Sequence, residues 1–406
     1  MRLAKIFKGD RTIWVVFFLL SIVSLLAVYS SIGLYAYSAF ASKTPTTLFL
    51  RHLLIVVATY VVVVMLSRVN YRYFSRFAVL GYWAAIVLLV VLLALNRGRW
   101  FHIPIIGQFQ PSEIAKVVLM IFVARLLALK KDHAGELGVF LMMLVYVAAV
   151  VVLVLPENFS TAALIFLSAY IMMYFGGVNK KYWWRLFLVG VVAVVAFLAV
   201  SYYKYEKTQM SGDATTEMVI ERQETWGHRV YSWINPKTVE LTQENMARMA
   251  IARGGVARLG LGTTVHARLM TQAHNDFIYA IIIEESGMLG GLFVFALYSI
   301  FFFRCVRITR RCKGRFGALT VAGLGTMIYL QALVNMCVAV GVLPVTGQTL
   351  PFISYGGTAY LFLGCALGVI QSVAADVETQ GKENVALASD VEPEAVAGTK
   401  QENETK

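Results

Sequence analysis

The amino-acid sequence predicts an all-α, polytopic membrane protein with about ten transmembrane helices and a large extracytoplasmic loop between helices 7 and 8. Three observations predict it. Of 406 residues, 59% are apolar and 15% charged, and the mean hydropathy is +0.69, too apolar for a water-soluble domain of ordinary composition. The apolar residues gather into runs of about 20, the length at which a helix crosses the hydrocarbon of a bilayer. Lys and Arg crowd into alternate connections, as the positive-inside rule requires of cytoplasmic loops.

In chain order the runs cover residues 12–34, 47–67, 76–95, 111–129, 138–155, 159–176, 184–203, 275–303, 317–343 and 356–375. The first is long and has no small-residue cleavage site, so it reads as an uncleaved helix and not a signal peptide. The fifth ends at Pro156 and the sixth is short. One face then receives the amino terminus with Arg2, Lys5, Lys8 and Arg11, and the loops bearing Arg68/Arg72/Arg76, Arg125/Lys130/Lys131, Lys180/Lys181/Arg185 and Arg304 to Arg315. The short loops on the other face hold Lys43, Arg51, Arg97 and Arg99. The first face is therefore cytoplasmic, both termini lie inside, and the long loop at 206–272 lies outside.

The formal charge of +13 reports this asymmetry and the neighbourhood of anionic membrane lipid. No nucleic-acid module accompanies it, so nucleic acid is set aside as a partner. The four cysteines, Cys305, Cys312, Cys337 and Cys365, suggest neither a disulfide framework nor a metal cluster. Residues 1–375 form the membrane domain, and 376–406, acid-rich and without apolar periodicity, are expected to be a disordered cytoplasmic tail. The absence of a convincing internal repeat weakens a transporter built from two symmetrical halves.

Asp276 is the most informative single residue, a carboxylate where the long polar loop enters an apolar helix. Acids at a membrane boundary face protein interiors, pair with cations or do chemistry. Capping is the plain alternative, since Asn275 or Asp276 could accept the first free amides of that helix. Just before it, residues 246–273 carry Arg248, Arg253, Arg258, Arg268 and His266 with no acid, and Gly254-Gly255 and Gly260-Leu-Gly262 break up the apolar residues. That pattern suits a short amphipathic or re-entrant helix. Such a strip could anchor to lipid headgroups, or hold a phosphate through Arg forks and backbone amides.

Two further polar stretches fall on the same side. Asn96-Arg-Gly-Arg-Trp100 leads through Gln110-Pro-Ser-Glu-Ile-Ala-Lys116 into the fourth span, where Glu113 and Lys116 sit three apart and can pair on one helix face. Pro351-Phe-Ile-Ser-Tyr-Gly-Gly357 enters the last span, its glycines permitting a tight turn. Glu284 and Glu285, on a straight helix, would lie about 12 to 13 Å beyond Asp276 and point away from it, which suits structural bonds to neighbouring segments.

These stretches together resemble the SEDS (shape, elongation, division and sporulation) family of peptidoglycan glycosyltransferases, over residues 12–375. The marks are Arg99-Trp100, Gln110 to Lys116, the paired glycines at 254–262, Ala273-His-Asn-Asp-Phe-Ile278 with Glu284-Glu285, and Leu350 to Gly357. Thr349-Leu-Pro-Phe-Ile-Ser354 is more similar to the division branch, FtsW, than to the elongation branch, RodA. Two departures stand out: the family's usual Asp and Gly in its Gln-Pro-Asp-Leu-Gly-Thr-Ala stretch are Asn158 and Ser160 here, and its usual Leu-Pro-Glu before Ala-His is Met270-Thr-Gln272.

The resemblance implies polymerisation of lipid II into glycan strands, with inversion at the anomeric carbon and departure of undecaprenyl pyrophosphate. It makes Asp276 the candidate general base, which can contribute about 10² to 10⁴-fold. Substrate contact is expected from Arg99, Glu113, Lys116, Arg248, Arg253, Arg258, His274 and Ser354. Cations at the outer face, or a divalent ion such as Mg²⁺ or Mn²⁺, would neutralise the leaving group. The implied partners are lipid II, the growing strand, a class B penicillin-binding protein and other divisome proteins, in a bacterial inner membrane with the active site extracytoplasmic. The rival reading is a flippase for the lipid-linked precursor, which would want polar groups through the midplane, where the sequence places few.

Overall fold

The computed structural model describes residues 7–32, 44–95, 101–103, 107–211, 229–230, 233–234, 243–260, 262, 264–268, 270 and 273–401. Among the described residues, ten long helices fill the ten predicted runs: α1 Arg11–Ser31, α2 Pro45–Arg68, α3 Tyr71–Ala94, α4 Pro111–Leu129, α5 Leu137–Val154, α6 Phe159–Phe175, α7 Lys180–Ser211, α9 Ile278–Arg311, α10 Arg315–Ala339 and α11 Gly357–Gln401. The shorter α8, Gln243–Gly254, precedes α9. Eight of the ten are long and apolar enough to cross a membrane, the exceptions being α4, which carries Glu113, Lys116 and Arg125, and the 17-residue α6.

Local chemistry starts the helices where the sequence allows it. Asp10, Thr44, Asn70 and Asn158 accept from amides in the first turns of α1, α2, α3 and α6, and prolines open α2 and α4. Asn158 thus caps α6 where the family usually has an acid, a task Asn performs as well as Asp. A hairpin of two three-residue strands, β1 Phe101–Ile103 and β2 Gly107–Phe109, leads into α4.

Burial sorts the helices. In their spanning stretches α10 is 67% buried and α11 72%, whereas α7 is 0%, so α10 and α11 are central and α7 is a peripheral, lipid-facing span. Between α10 and α11 the chain does not simply turn: Leu350, Phe352, Ile353 and Ser354 are buried non-helical residues. Irregular backbone is tolerated at membrane depth when protein surrounds it. Here Ser24 of α1 donates to the Ile353 carbonyl at 2.8 Å and Tyr298 of α9 donates to the Pro351 carbonyl. Phe352 holds a positive φ of 59°, with its ring edge-on to Phe17 at 5.2 Å. A bulky residue in that region is strained by about 1 to 3 kcal/mol, a cost the packed surroundings must offset.

One expectation is corrected. The span predicted at 275–303 is not one straight helix: α9 breaks at Gly287, with φ 72° and ψ −177°. The Tyr279 hydroxyl donates to the Gly291 carbonyl at 3.1 Å, although twelve residues of straight helix would separate their backbones by about 18 Å. Ile278–Ser286 therefore folds back on the rest of α9. The helix α11 runs on past Asp376 to Gln401.

Candidate active site

Asp276 stands in a turn, residues 273–277, just before α9. The N-cap position falls on Phe277 and no side chain caps the helix, which removes the capping account of Asn275 and Asp276. The turn is instead gripped by its carbonyls. His274 O accepts from Tyr355 N at 2.9 Å, Asn275 O from Ser354 Oγ at 2.7 Å, and Asp276 O from Asn335 Nδ2 at 2.9 Å. Three successive carbonyls are thus fixed by the 350s loop and α10, while the Asp276 side chain stays only half-buried. That is how the backbone around a short carboxylate can be held in one place.

A polar network backs this turn. Lys116 and Glu113 pair at 2.8 Å on α4, as their spacing predicts, and Lys116 also donates to Gln331 Oε1 at 2.8 Å. Gln331 Nε2 donates to Thr349 O at 3.0 Å, Asn335 Nδ2 donates to Gln348 O at 2.7 Å, and Gln348 Nε2 donates to Thr161 Oγ1 on α6 at 2.8 Å. Counted from the helix ends at 1.5 Å per residue, Asn335, Lys116, Ser24 and Gln331 lie about 6 to 12 Å inside the bundle. These polar groups are therefore recessed from the helix ends.

The segment before the turn begins with the short helix α8, which packs against α9. Met246, Ala247 and Ala250 of α8 are buried, and Gly254 approaches α9 so closely that a Cβ there would meet the Ile283 carbonyl oxygen at 2.0 Å. Breaking α9 frees backbone groups, and this segment satisfies them: Met288 N donates to Gly255 O at 2.9 Å, Leu289 N to Val256 O at 3.1 Å, and Gly260 N to Glu285 O at 2.9 Å. Buried Glu284 accepts from Arg253 at 3.0 Å, His266 at 2.9 Å and Thr264 at 2.6 Å, and Glu285 from Gly262 N at 3.0 Å. These are the structural bonds expected of the two acids. The direction was wrong, because the fold-back sets Glu285 near Ser30 at the end of α1, whereas the turn with Asp276 lies deeper, beside residues 353–355.

Several residues expected to touch substrate are buried in this structure. Glu113, Lys116, His274 and Ser354 are 5%, 0%, 2% and 3% exposed. The hydroxyl proton of Ser354 goes to Asn275 O while its oxygen accepts from Leu350 N at 2.7 Å. Burial holds the His274 imidazole down at a pKa of about 4, so it is neutral at physiological pH. Arg253 serves Glu284, and Arg248 lies against Gly341 beyond the end of α10. Arg248 and Arg258 are partly exposed and, among the described residues, have no carboxylate within ion-pair distance. Arg99 lies outside the described residues. Sequence reasoning gave no role to Gln331, Asn335, Gln348 or Thr349; a glutamine and an asparagine four apart within an apolar run were the available signal.

No group of three or more His, Cys, Asp or Glu side chains that could hold a metal occurs among the described residues.

Comparison with known proteins agrees with this architecture. The family model FtsW/RodA/SpoVE, described as cell cycle protein, matches residues 10–379. The chain is 27% identical over 360 residues to the probable peptidoglycan glycosyltransferase FtsW of Bacillus subtilis, covering 86% of each chain. It is 29% identical over 327 residues to the peptidoglycan glycosyltransferase MrdB of Escherichia coli K12, covering 77% of this chain and 82% of that one. Among solved structures, a chain of a peptidoglycan synthase complex that coordinates polymerization and crosslinking superposes with a TM-score of 0.67 at 22% identity, covering 91% of this chain and 98% of that chain. Thermus thermophilus RodA superposes at 0.61 with 21% identity, covering 91% and 97%. With a family match spanning most of its length and the same fold in two solved structures, the chain belongs to the FtsW/RodA/SpoVE, or SEDS, family.

Proposed function

We propose that this protein is an inverting peptidoglycan glycosyltransferase that polymerises lipid II on the outer face of the bacterial inner membrane, with both termini cytoplasmic. The observation that carries the proposal is the Asp276 turn: a half-buried acid at the entry to α9, in a turn held by three consecutive carbonyl bonds beside a buried polar network.

In the reaction the acceptor sugar's 4-hydroxyl oxygen attacks the anomeric carbon of the donor. Its proton passes to the Asp276 carboxylate, the bond from that carbon to the pyrophosphate oxygen breaks, and undecaprenyl pyrophosphate leaves with the electron pair. No acid is needed to protonate so stable an anion, so one carboxylate suffices. Arg248 and Arg258 are the partly exposed cations best placed in the segment to meet its charge. A divalent ion, if one binds, would add charge neutralisation for the leaving pyrophosphate.

Thr349-Leu-Pro-Phe-Ile-Ser354 favours septal synthesis with a class B penicillin-binding protein and other divisome proteins. Rescue of cells depleted of their division-type member, and not of those depleted of the elongation type, is the expected result. The decisive measurement is glycan-strand formation from lipid II in detergent, where no bilayer needs crossing. Asp276→Asn should fold normally and lose polymerisation by about 10²-fold or more. An active Asp276→Asn protein would refute the base assignment, and translocation of lipid II without polymerisation would establish the flippase instead.

A further inference from the structure

Asn335 lies one turn from the end of α10 and is 1% exposed. Its Nδ2 donates both hydrogens to carbonyls of separate segments, Asp276 O at 2.9 Å and Gln348 O at 2.7 Å. Its Oδ1 is buried without a hydrogen-bond partner among the described residues. An unsatisfied buried acceptor costs about 1 to 3 kcal/mol, so the amide is poorly explained by stability alone. What it achieves is geometric. Ser354 and Tyr355 fix the carbonyls of Asn275 and His274, whereas Asn335 fixes the peptide of Asp276 itself. Through Gln348 and Thr161 the same amide is referenced to the start of α6.

Building on the reading of Asp276 as the base, we propose that Asn335 is a positioning residue for the reaction: by holding the Asp276 carbonyl to α10 and to the loop at Gln348, it sets the depth and direction from which the carboxylate takes the proton. A misplacement of about 1 Å can cost about 10²-fold in rate, which makes such a tie worth an orphaned oxygen.

The test uses the full-length purified protein and lipid II. Asn335→Leu removes both donors at similar volume and should lower kcat by about 10²-fold with KM within about twofold; Asn335→Ser, which keeps one donor, should fall in between. Asn335→Leu placed in the Asp276→Asn protein should add no further loss, because the group it positions is already gone. Asp10→Asn, at the opposite end of α1, serves as the control that lowers melting temperature while sparing kcat. Asn335→Leu at wild-type kcat, a loss confined to KM, or the same fold-loss in both backgrounds overturns the proposal. If the Asp276→Asn rate is too low to measure, the division between kcat and KM decides. An active Asp276→Asn protein, by contrast, removes the base reading itself, whatever Asn335 does.

Discussion

At the scale of single residues, the site end of the molecule is held by buried charge and buried neutrality. Lys116 is wholly inaccessible and balanced by Glu113 at 2.8 Å, so removing either partner strands a charge at a cost of about 3 to 5 kcal/mol. Glu113→Gln and Lys116→Met singly should each lower thermal stability sharply. The double variant should recover most of it and, since Lys116 faces Gln331 and not solvent, should polymerise lipid II within about threefold of wild type. A stable but inactive double variant would give Lys116 a role in substrate binding after all. His274 predicts a pH dependence. Its folded pKa of about 4 lies below the ordinary 6.5, so the stability tied to its neutral form is complete above pH 6.5 and is lost as pH falls toward 4. The slope should approach about 1.4 kcal/mol per pH unit, and His274→Gln should flatten melting temperature against pH across that window. Identical profiles for the two proteins would refute it.

At the scale of elements, the break in α9 is the device that shapes the site. Gly287 adopts φ and ψ that glycine alone holds readily, and a Cβ there would meet Ala257 Cα at 2.7 Å and Val256 O at 2.8 Å. Gly287→Ala should therefore cost about 2 kcal/mol or more and disturb the 255–260 segment. Gly138→Ala in α5, where a Cβ meets nothing within 4 Å, should be neutral or slightly stabilising. Melting temperatures of the two variants, with polymerisation rates beside them, check the contrast. Equal behaviour would mean the break carries no special load. An apolar run announces a span whether or not it is straight. Only the glycine among Glu285-Ser-Gly287 hinted at the fold-back.

At the scale of the whole molecule, the end of the bundle away from the site is fastened by contacts very distant in sequence. Asp10 caps α1, pairs with Arg304 of α9, and lies against Gln371 of α11, whose Oε1 accepts from Asp10 N at 2.8 Å. Asp10→Asn keeps the cap but loses the ion pair, so we expect about 1 to 3 kcal/mol of destabilisation. Because α1 spans about 31 Å from that end to the other, activity per folded molecule should be unchanged. A loss of rate at constant stability would reveal coupling between the two ends.

The sequence by itself determined the order of the long helices and the Glu113–Lys116 pair, and it marked the arginine and glycine segment and Asp276 as candidates. Each is written locally: a bilayer demands runs of fixed length, helical spacing sets an i,i+3 pair, and an acid beside an apolar helix is costly enough to stand out. Tertiary structure alone decided that the N-cap of α9 falls on Phe277, that Ser354, His274 and Lys116 are buried, and that Asn335 and Gln331 tie α10 to the turn and to α4. Those facts depend on which carbonyl meets which side chain across separations such as the 215 residues between Lys116 and Gln331. Hydrophobic periodicity carries no information about such pairings, because burial of apolar area is non-directional whereas a hydrogen bond needs its partner at one distance and angle.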